Sequence, residues 1–246
     1  MKIVAVYNFK GGVGKTSTVV HLAALAARDG HRTLLWDLDP QAAASYVFRV
    51  ESRQRVGARK LLAGERELAE LVRETDWEHL ALLPADLSFR KLDVALAEVK
   101  RPSERLAGLI RPLIREFDLL FFDCPPSLSL LAEAVFAMAD LLVVPLVPAP
   151  LSLRALSQLH AELVRKGLGD LAVAPFLSMV DRRKSLHRDS SWLSLRSPYP
   201  LLETAIPYST LVEEVTVRRQ PVFAFAPASP PAVAYERLWA EVKGRL

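Results

Sequence analysis

The sequence predicts an α/β fold, a doubly wound and mostly parallel sheet with helices on both faces. Two patterns carry this reading. Strand-length apolar runs alternate with helix-length segments along the chain. Several of those runs are apolar on consecutive residues, as strands covered on both faces require. The length agrees: 246 residues, 51% of them hydrophobic, suffice for one large core, so a single domain over residues 1–246 is expected.

The elements follow in order. "IVAVY" (3–7) reads as the first strand, because its apolar run is too short for a signal peptide and leads straight into a glycine-rich loop. Further strands are expected at "TLLWD" (33–37), "LALLP" (80–84), "LLFFD" (119–123), "LLVVP" (141–145), "LAVAPFLS" (171–178) and "ETAIP" (203–207). Lys15 to Arg28, rich in Ala and Leu, reads as a helix that stops at Asp29-Gly30. "RPSERLAGLIRP" is a helix between prolines. In the last segment, Val233, Leu238, Trp239 and Val242 fall near one helical face, which would pack on the sheet.

Composition excludes several classes. Cys124 is the only cysteine, so no intramolecular disulfide can form, and a reducing cytoplasm fits. The longest apolar stretch, Leu141 to Leu151, is too short and too proline-rich to cross a bilayer, and a soluble protein is expected. The 32 basic and 28 acidic residues leave a net charge of +4, basic without being built throughout for nucleic acid.

Chemistry concentrates in "FKGGVGKTS", Phe9 to Ser17, between the first strand and the first helix. Gly11, Gly12 and Gly14 let the backbone, with that of Val13, curl and aim N–H groups at phosphate oxygens, helped by the helix dipole. Lys15 would reach the β- and γ-phosphates of a nucleotide, and the Thr16 hydroxyl would ligate Mg²⁺. Strand-end carboxylates support this reading: Asp123 closes "LLFFD", while Asp37 and Asp39 close "LLWDLD". Ligands of open α/β sheets bind along that edge.

Together, "KGGVGKTS", "DLDPQ" and "FFDCPPSLSLL" resemble the deviant Walker A, switch I and Walker B of the ParA/MinD family of P-loop ATPases. The likeness extends more weakly through "LLVVPLVPAPLSLRALSQL", "FLSMVDRRKSLHR" and "AIPYS". It implies ATP and Mg²⁺ as cofactors, and a homodimer formed on ATP in which Lys10 crosses to the other subunit's phosphates. It implies also that Asp39 positions the attacking water, that Asp37 organises the switch, and that Thr16, Asp39 and Asp123 serve the metal. Lys10, Lys15 and Asp39 would be the catalytic residues; nucleotide contacts would run from Lys10 through Ser17, with Asp37 and Pro207. Hydrolysis in such a site is expected to be slow, because there is little beyond positioning to accelerate it.

Within the family the sequence favours the small ParA type. The chain ends at "EVKGRL" in its expected last core helix, so a membrane-binding tail is not expected; the first strand begins at Ile3, so neither is an N-terminal helix-turn-helix domain. Cys124 alone cannot hold an iron–sulfur cluster. The resemblance then implies non-specific DNA binding on the nucleoid and a ParB-like partner or cargo adaptor that stimulates hydrolysis. Arg182, Arg183, Lys184 and Arg188 are the first DNA-binding candidates: from Asp181 to Arg196 five basic residues face two Asp, a local balance of +3. Arg218 and Arg219 are the second, and Arg182 could instead serve the base pocket. Tyr208 stands where the family often has arginine. Two other readings stay open, an ATP-gated protein scaffold without DNA binding and a metabolic P-loop enzyme of the dethiobiotin-synthetase kind.

Overall fold

The computed structural model describes residues 1–52, 57–85 and 92–246. Its strands are β1 (Lys2–Val6), β2 (Thr33–Asp37), β3 (Arg73–Glu74), β4 (Leu80–Leu83), β5 (Leu119–Asp123), β6 (Leu141–Leu146), β7 (Ala172–Val180) and β8 (Ala205–Pro207). They form one sheet in the order β3-β4-β2-β5-β1-β6-β7-β8, parallel throughout except for the antiparallel β3–β4 edge. The fold is a mostly parallel α/β arrangement, as the apolar runs predict.

The helices are α1 (Lys15–Arg28), α2 (Ala43–Val47), α3 (Ala58–Ala63), α4 (Leu92–Ala97), α5 (Pro102–Ile110), α6 (Leu130–Phe136), α7 (Pro150–Arg165), α8 (Ser185–Arg188), α9 (Ser191–Arg196), α10 (Thr210–Arg218), α11 (Val222–Phe225) and α12 (Pro230–Lys243). They cover both faces of the sheet. Alternate strand residues divide the core: Leu34, Trp36, Leu120 and Phe122 pack with α3 to α7, while Val4, Val6, Leu35 and Phe121 pack with α1, α2 and α10 to α12. Burial of each such side chain contributes about 1.5–3 kcal/mol. No helix among the described residues is long and apolar enough to cross a membrane.

Three details depart from the sequence expectation. The strand expected from Glu203 begins at Ala205, because the Glu203 and Thr204 N–H groups both donate to the Glu241 carboxylate, each at 2.8 Å, instead of to a neighbouring strand. The α12 face that meets the sheet is Ala232, Tyr235, Leu238, Trp239 and Val242; Val233 is only half-buried and lines an outer cleft. The two-residue β3 was not anticipated. Arg73-Glu74 carries no apolar run and forms a strand only because β4 offers its edge.

Topology places the site. β1 is flanked by β5 and β6, so the chain leaving β1 enters α1 and returns to β2 on the far side of β5. The register aligns Val6, Asp123 and Asp37 at the carboxyl ends of three adjacent strands. A loop leaving β1 therefore begins beside both carboxylates.

Candidate nucleotide site

The loop after β1 is fixed from below. Buried Asn8 donates from Nδ2 to the Pro145 carbonyl at 2.8 Å, and its Oδ1 accepts the Lys10 N–H at 2.9 Å. Val13 is buried, whereas Lys10, Gly11 and Gly12 are exposed, so an apolar anchor leaves the loop backbone turned outward. Gly12 and Gly14 have φ of 70° and 90°, a region costly for residues with a Cβ. At Gly14 a Cβ would also lie 3.0 Å from Ser178 Oγ on β7. Gly14 is the N-cap of α1 and brings no side-chain acceptor, so the first-turn N–H groups of α1 have no side-chain cap and suit an anion.

Lys15 and Lys10 divide the positive charge. Lys15 is buried, and its Nζ donates back to the Lys10 carbonyl at 3.3 Å. Burial lowers its pKa, partly offset by nearby Asp123 and Asp39. An incoming phosphate would supply the missing countercharge. The exposed Lys10 side chain makes no ion pair among the described residues.

The carboxylates differ by their surroundings. Asp37 Oδ2 accepts the Ser45 N–H at 2.9 Å and the Ser45 hydroxyl at 2.7 Å, while Oδ1 accepts the Asp39 N–H at 3.2 Å. Burial nevertheless pushes Asp37 up to about 6, against those hydrogen bonds. Asp39 is half-exposed and folds its own turn, accepting the Gln41 N–H at 2.9 Å. Asp123 is fully buried, and neither of its oxygens has a hydrogen-bond partner. Burial, then the neighbouring Asp37, raises its pKa well above the usual carboxylate range, with Thr16 and Lys15 pulling the other way.

Beyond the loop lies a pocket of about 300 Å³, lined by Gly14, Ser17, Met179, Pro207, Tyr208 and Tyr235 among others. Pro207 thus shares a wall with the phosphate loop. Arg182 does not line this pocket; it faces the neighbouring cleft with Glu203 and Arg237. Under the pocket, fully buried His21 bridges α1 to α11: the Ser17 carbonyl accepts from Nδ1 at 2.6 Å and the Val222 N–H donates to Nε2 at 2.9 Å. Those partners define the neutral tautomer with the proton on Nδ1, and burial lowers the His21 pKa to about 4. The ring stacks on Tyr235 at 3.8 Å between centres.

Residues 1–166 match a family model described as "AAA domain". Over 190 residues, 75% of this chain and 67% of that protein, the sequence is 37% identical to the chromosome partitioning protein ParA of Myxococcus xanthus. Over 249 residues, 98% of each, it is 30% identical to the sporulation initiation inhibitor protein Soj of Bacillus subtilis. The chain belongs to the ParA/MinD family of deviant Walker A ATPases. The septum site-determining protein MinD of Pyrococcus horikoshii, solved with Mg-ADP, shares the fold with a TM-score of 0.81 at 23% identity, covering 98% of this chain and 95% of that one.

A ParA/MinD-type site takes a magnesium nucleotide, and the residues here fit one. Asp123, buried with two unpartnered oxygens next to the Thr16 hydroxyl, is the group a hydrated cation would satisfy. Among the described residues there is no cluster of three or more His, Cys, Asp or Glu that could hold a metal ion.

The basic candidates are not equivalent. Arg182, Lys184 and Arg188 are exposed between β7 and α9 and make no ion pair among the described residues. Arg183 is held by Asp181 at 2.9 Å, which draws Asp181 down to about 2. Arg218 pairs with Glu214 at 2.7 Å and lies 4.7 Å over the Phe225 ring, and Arg219 is bound to α2. The sequence reading missed Asn8, His21, Ser45, Ser178 and Tyr235; Asn8, Ser45 and Ser178 stand in or beside recognised motifs, but the Asn8 bond to Pro145, the Ser178 approach to Gly14 and the stacking of His21 on Tyr235 join residues distant in sequence.

Proposed function

We propose that this chain is a slow, Mg²⁺-dependent ATPase of the partition or cargo-positioning kind. It pairs as a homodimer on binding ATP, binds duplex DNA without sequence preference in that state, and is released when a ParB-like partner or cargo adaptor stimulates hydrolysis. The division between Lys15 and Lys10 carries the reading. One lysine is buried in the phosphate cradle; the other is exposed on its rim, its backbone held by Asn8 and by Lys15 while its side chain has no ion pair.

A nucleotide triphosphate stays anionic after one Mg²⁺ and one lysine. A second cation contributes far more in a water-poor interface than in bulk water. Lys10 supplies that cation to the opposite subunit, so ATP becomes part of the dimer contact. Within each subunit Lys15 and the backbone of Gly11 to Thr16 bind phosphate. Asp39, half-exposed just beyond β2 and close enough for its charge to act on Lys15, orients water for in-line attack. Thr16 and Asp123 would hold the hydration shell of a Mg²⁺ ion, which would neutralise charge on the phosphates. Arg182, Lys184 and Arg188 are the better DNA contacts, since Arg183 and Arg218 already have acidic partners.

Binding of unrelated duplexes, measured with ATP, ADP and no nucleotide over a salt series, tests this function. Binding with ATP only, equal across sequences and weakening steeply with salt, is the expected result. ATP-dependent dimerisation without DNA binding would favour the protein scaffold, and nucleotide turnover by a monomer would favour a metabolic enzyme.

A further inference from the structure

Among the described residues three arginines occupy the left-handed backbone region that favours glycine, and two of them, Arg49 at φ 58° and Arg219 at φ 54°, lie together. Each follows the end of a helix and reaches the other helix. Arg219 Nε donates to the Tyr46 carbonyl of α2 at 2.8 Å, and its guanidinium carbon lies 4.5 Å from the centre of the Tyr46 ring. In return, Arg49 Nη2 donates at 3.2 Å to the carbonyl of Arg218, the last residue of α10. Terminal helix carbonyls lack intrahelical partners, and here each receives a cation from beyond the other helix, at the negative end of the dipole. Strained backbone of this kind persists where the surroundings hold it, and it clusters at functional sites.

One clasped helix adjoins the Asp37–Asp39 segment and the other supplies the pocket wall. α2 follows Asp39 directly: the Ala42 N–H donates to the Asp39 carbonyl at 2.9 Å, and Ser45 holds Asp37 through two hydrogen bonds. α10 supplies Val212, Glu213 and Thr216 to the pocket wall. Neither Arg49 nor Arg219 lines the pocket. Nor is the clasp needed to bury α2, since Ala44, Val47, Phe48 and Val50 already lie in the core.

We propose that Arg219 and Arg49 are positioning residues, a reciprocal clasp that fixes the Asp37–Asp39 segment against the pocket wall. Nucleotide in the pocket then sets the carboxylate that orients the attacking water. The inference rests on the hydrolytic function proposed above.

Arg219→Gly separates this role from a structural one. Glycine keeps the left-handed cap without strain and removes both grips on Tyr46, so the fold survives, and a purely structural staple would leave catalysis unchanged. Three quantities are measured: Mg-ATP affinity, single-turnover hydrolysis, and amide hydrogen exchange with and without Mg-ATP. Affinity should stay within about threefold while hydrolysis falls about ten- to a hundredfold. Added Mg-ATP should still protect residues 212–216 but no longer residues 39–46. Tyr46→Phe, which keeps ring and carbonyl, should match the wild type. Wild-type hydrolysis and wild-type protection in Arg219→Gly would overturn the proposal. A wild-type protein that binds Mg-ATP without hydrolysing it would contradict the proposed function instead; the exchange measurement then decides the clasp, and unchanged protection of residues 39–46 in Arg219→Gly overturns it.

Discussion

Asp37 and Asp123 lie directly opposite each other in register at the carboxyl ends of β2 and β5, both fully buried; Asp37 is held by Ser45 and Asp39, whereas Asp123 has only the Thr16 hydroxyl beside it. Burial raises both pKa values; the Asp37 charge adds to the effect at Asp123, and the Asp39 charge adds to it at Asp37. For such groups the folded pKa exceeds the unfolded one, so stability is fully present at low pH and declines as pH rises toward the folded value.

Asp123→Asn should therefore stabilise the metal-free protein, by more at pH 7 than at pH 4 and by about 1–3 kcal/mol at the higher pH. The Mg²⁺-dependent part of its nucleotide affinity should vanish. Chemical denaturation at both pH values, with nucleotide titrations with and without Mg²⁺, checks both halves. Lower stability at pH 7 would show that the Thr16 hydroxyl and Lys15 hold the Asp123 carboxylate well enough to offset its burial.

His21 gives the opposite sign. Its folded pKa of about 4 lies below the ordinary value of 6.5, so its contribution is present above pH 6.5 and lost as pH falls through the interval to 4. The loss should approach about 3 kcal/mol. Because the carboxylates trend the other way, the observable is the difference between wild type and His21→Gln in denaturation runs from pH 7 to pH 4. A difference that does not change with pH would mean that His21 charges without cost.

Gly14→Ala should lose nucleotide binding and about 1–2 kcal/mol of stability, since φ 90° is strained for any L side chain. Ser178→Ala in the same background removes the 3.0 Å contact but not the backbone strain, so it should restore only part of the stability. Complete recovery would place the whole effect in packing.

Lys15→Ala should abolish Mg-ATP binding, whereas Asp39→Ala should keep it and lose hydrolysis. Equilibrium binding and single-turnover rates distinguish the two, and normal turnover in Asp39→Ala would remove that residue from the chemistry.

What could be read from the sequence follows locality. The phosphate loop, α1 and the strand ends at Asp37 and Asp123 are contiguous segments whose glycines, helix stop and apolar runs carry their own geometry. The β3 edge carries no such signal, nor does the Glu241 carboxylate that delays β8. The same holds within the site. Lys15 is legible from its motif, but Ser45 on Asp37, His21 against Tyr235 and the arginine clasp join residues that only the tertiary fold brings together. Arg219 reads in sequence as one of two adjacent surface cations, and only its φ and its hold on Tyr46 set it apart.

The central claim is that Lys10 acts across a nucleotide-dependent interface. The most direct test is the mass in solution of Asp39→Ala and of Lys10→Ala/Asp39→Ala, both with saturating Mg-ATP, a background in which hydrolysis does not deplete the complex. The single variant should be a dimer. The double variant should bind Mg-ATP through Lys15 and the loop backbone yet remain a monomer, because twofold symmetry removes two charge-assisted contacts at once. A double variant that dimerises as well as Asp39→Ala alone would contradict the account.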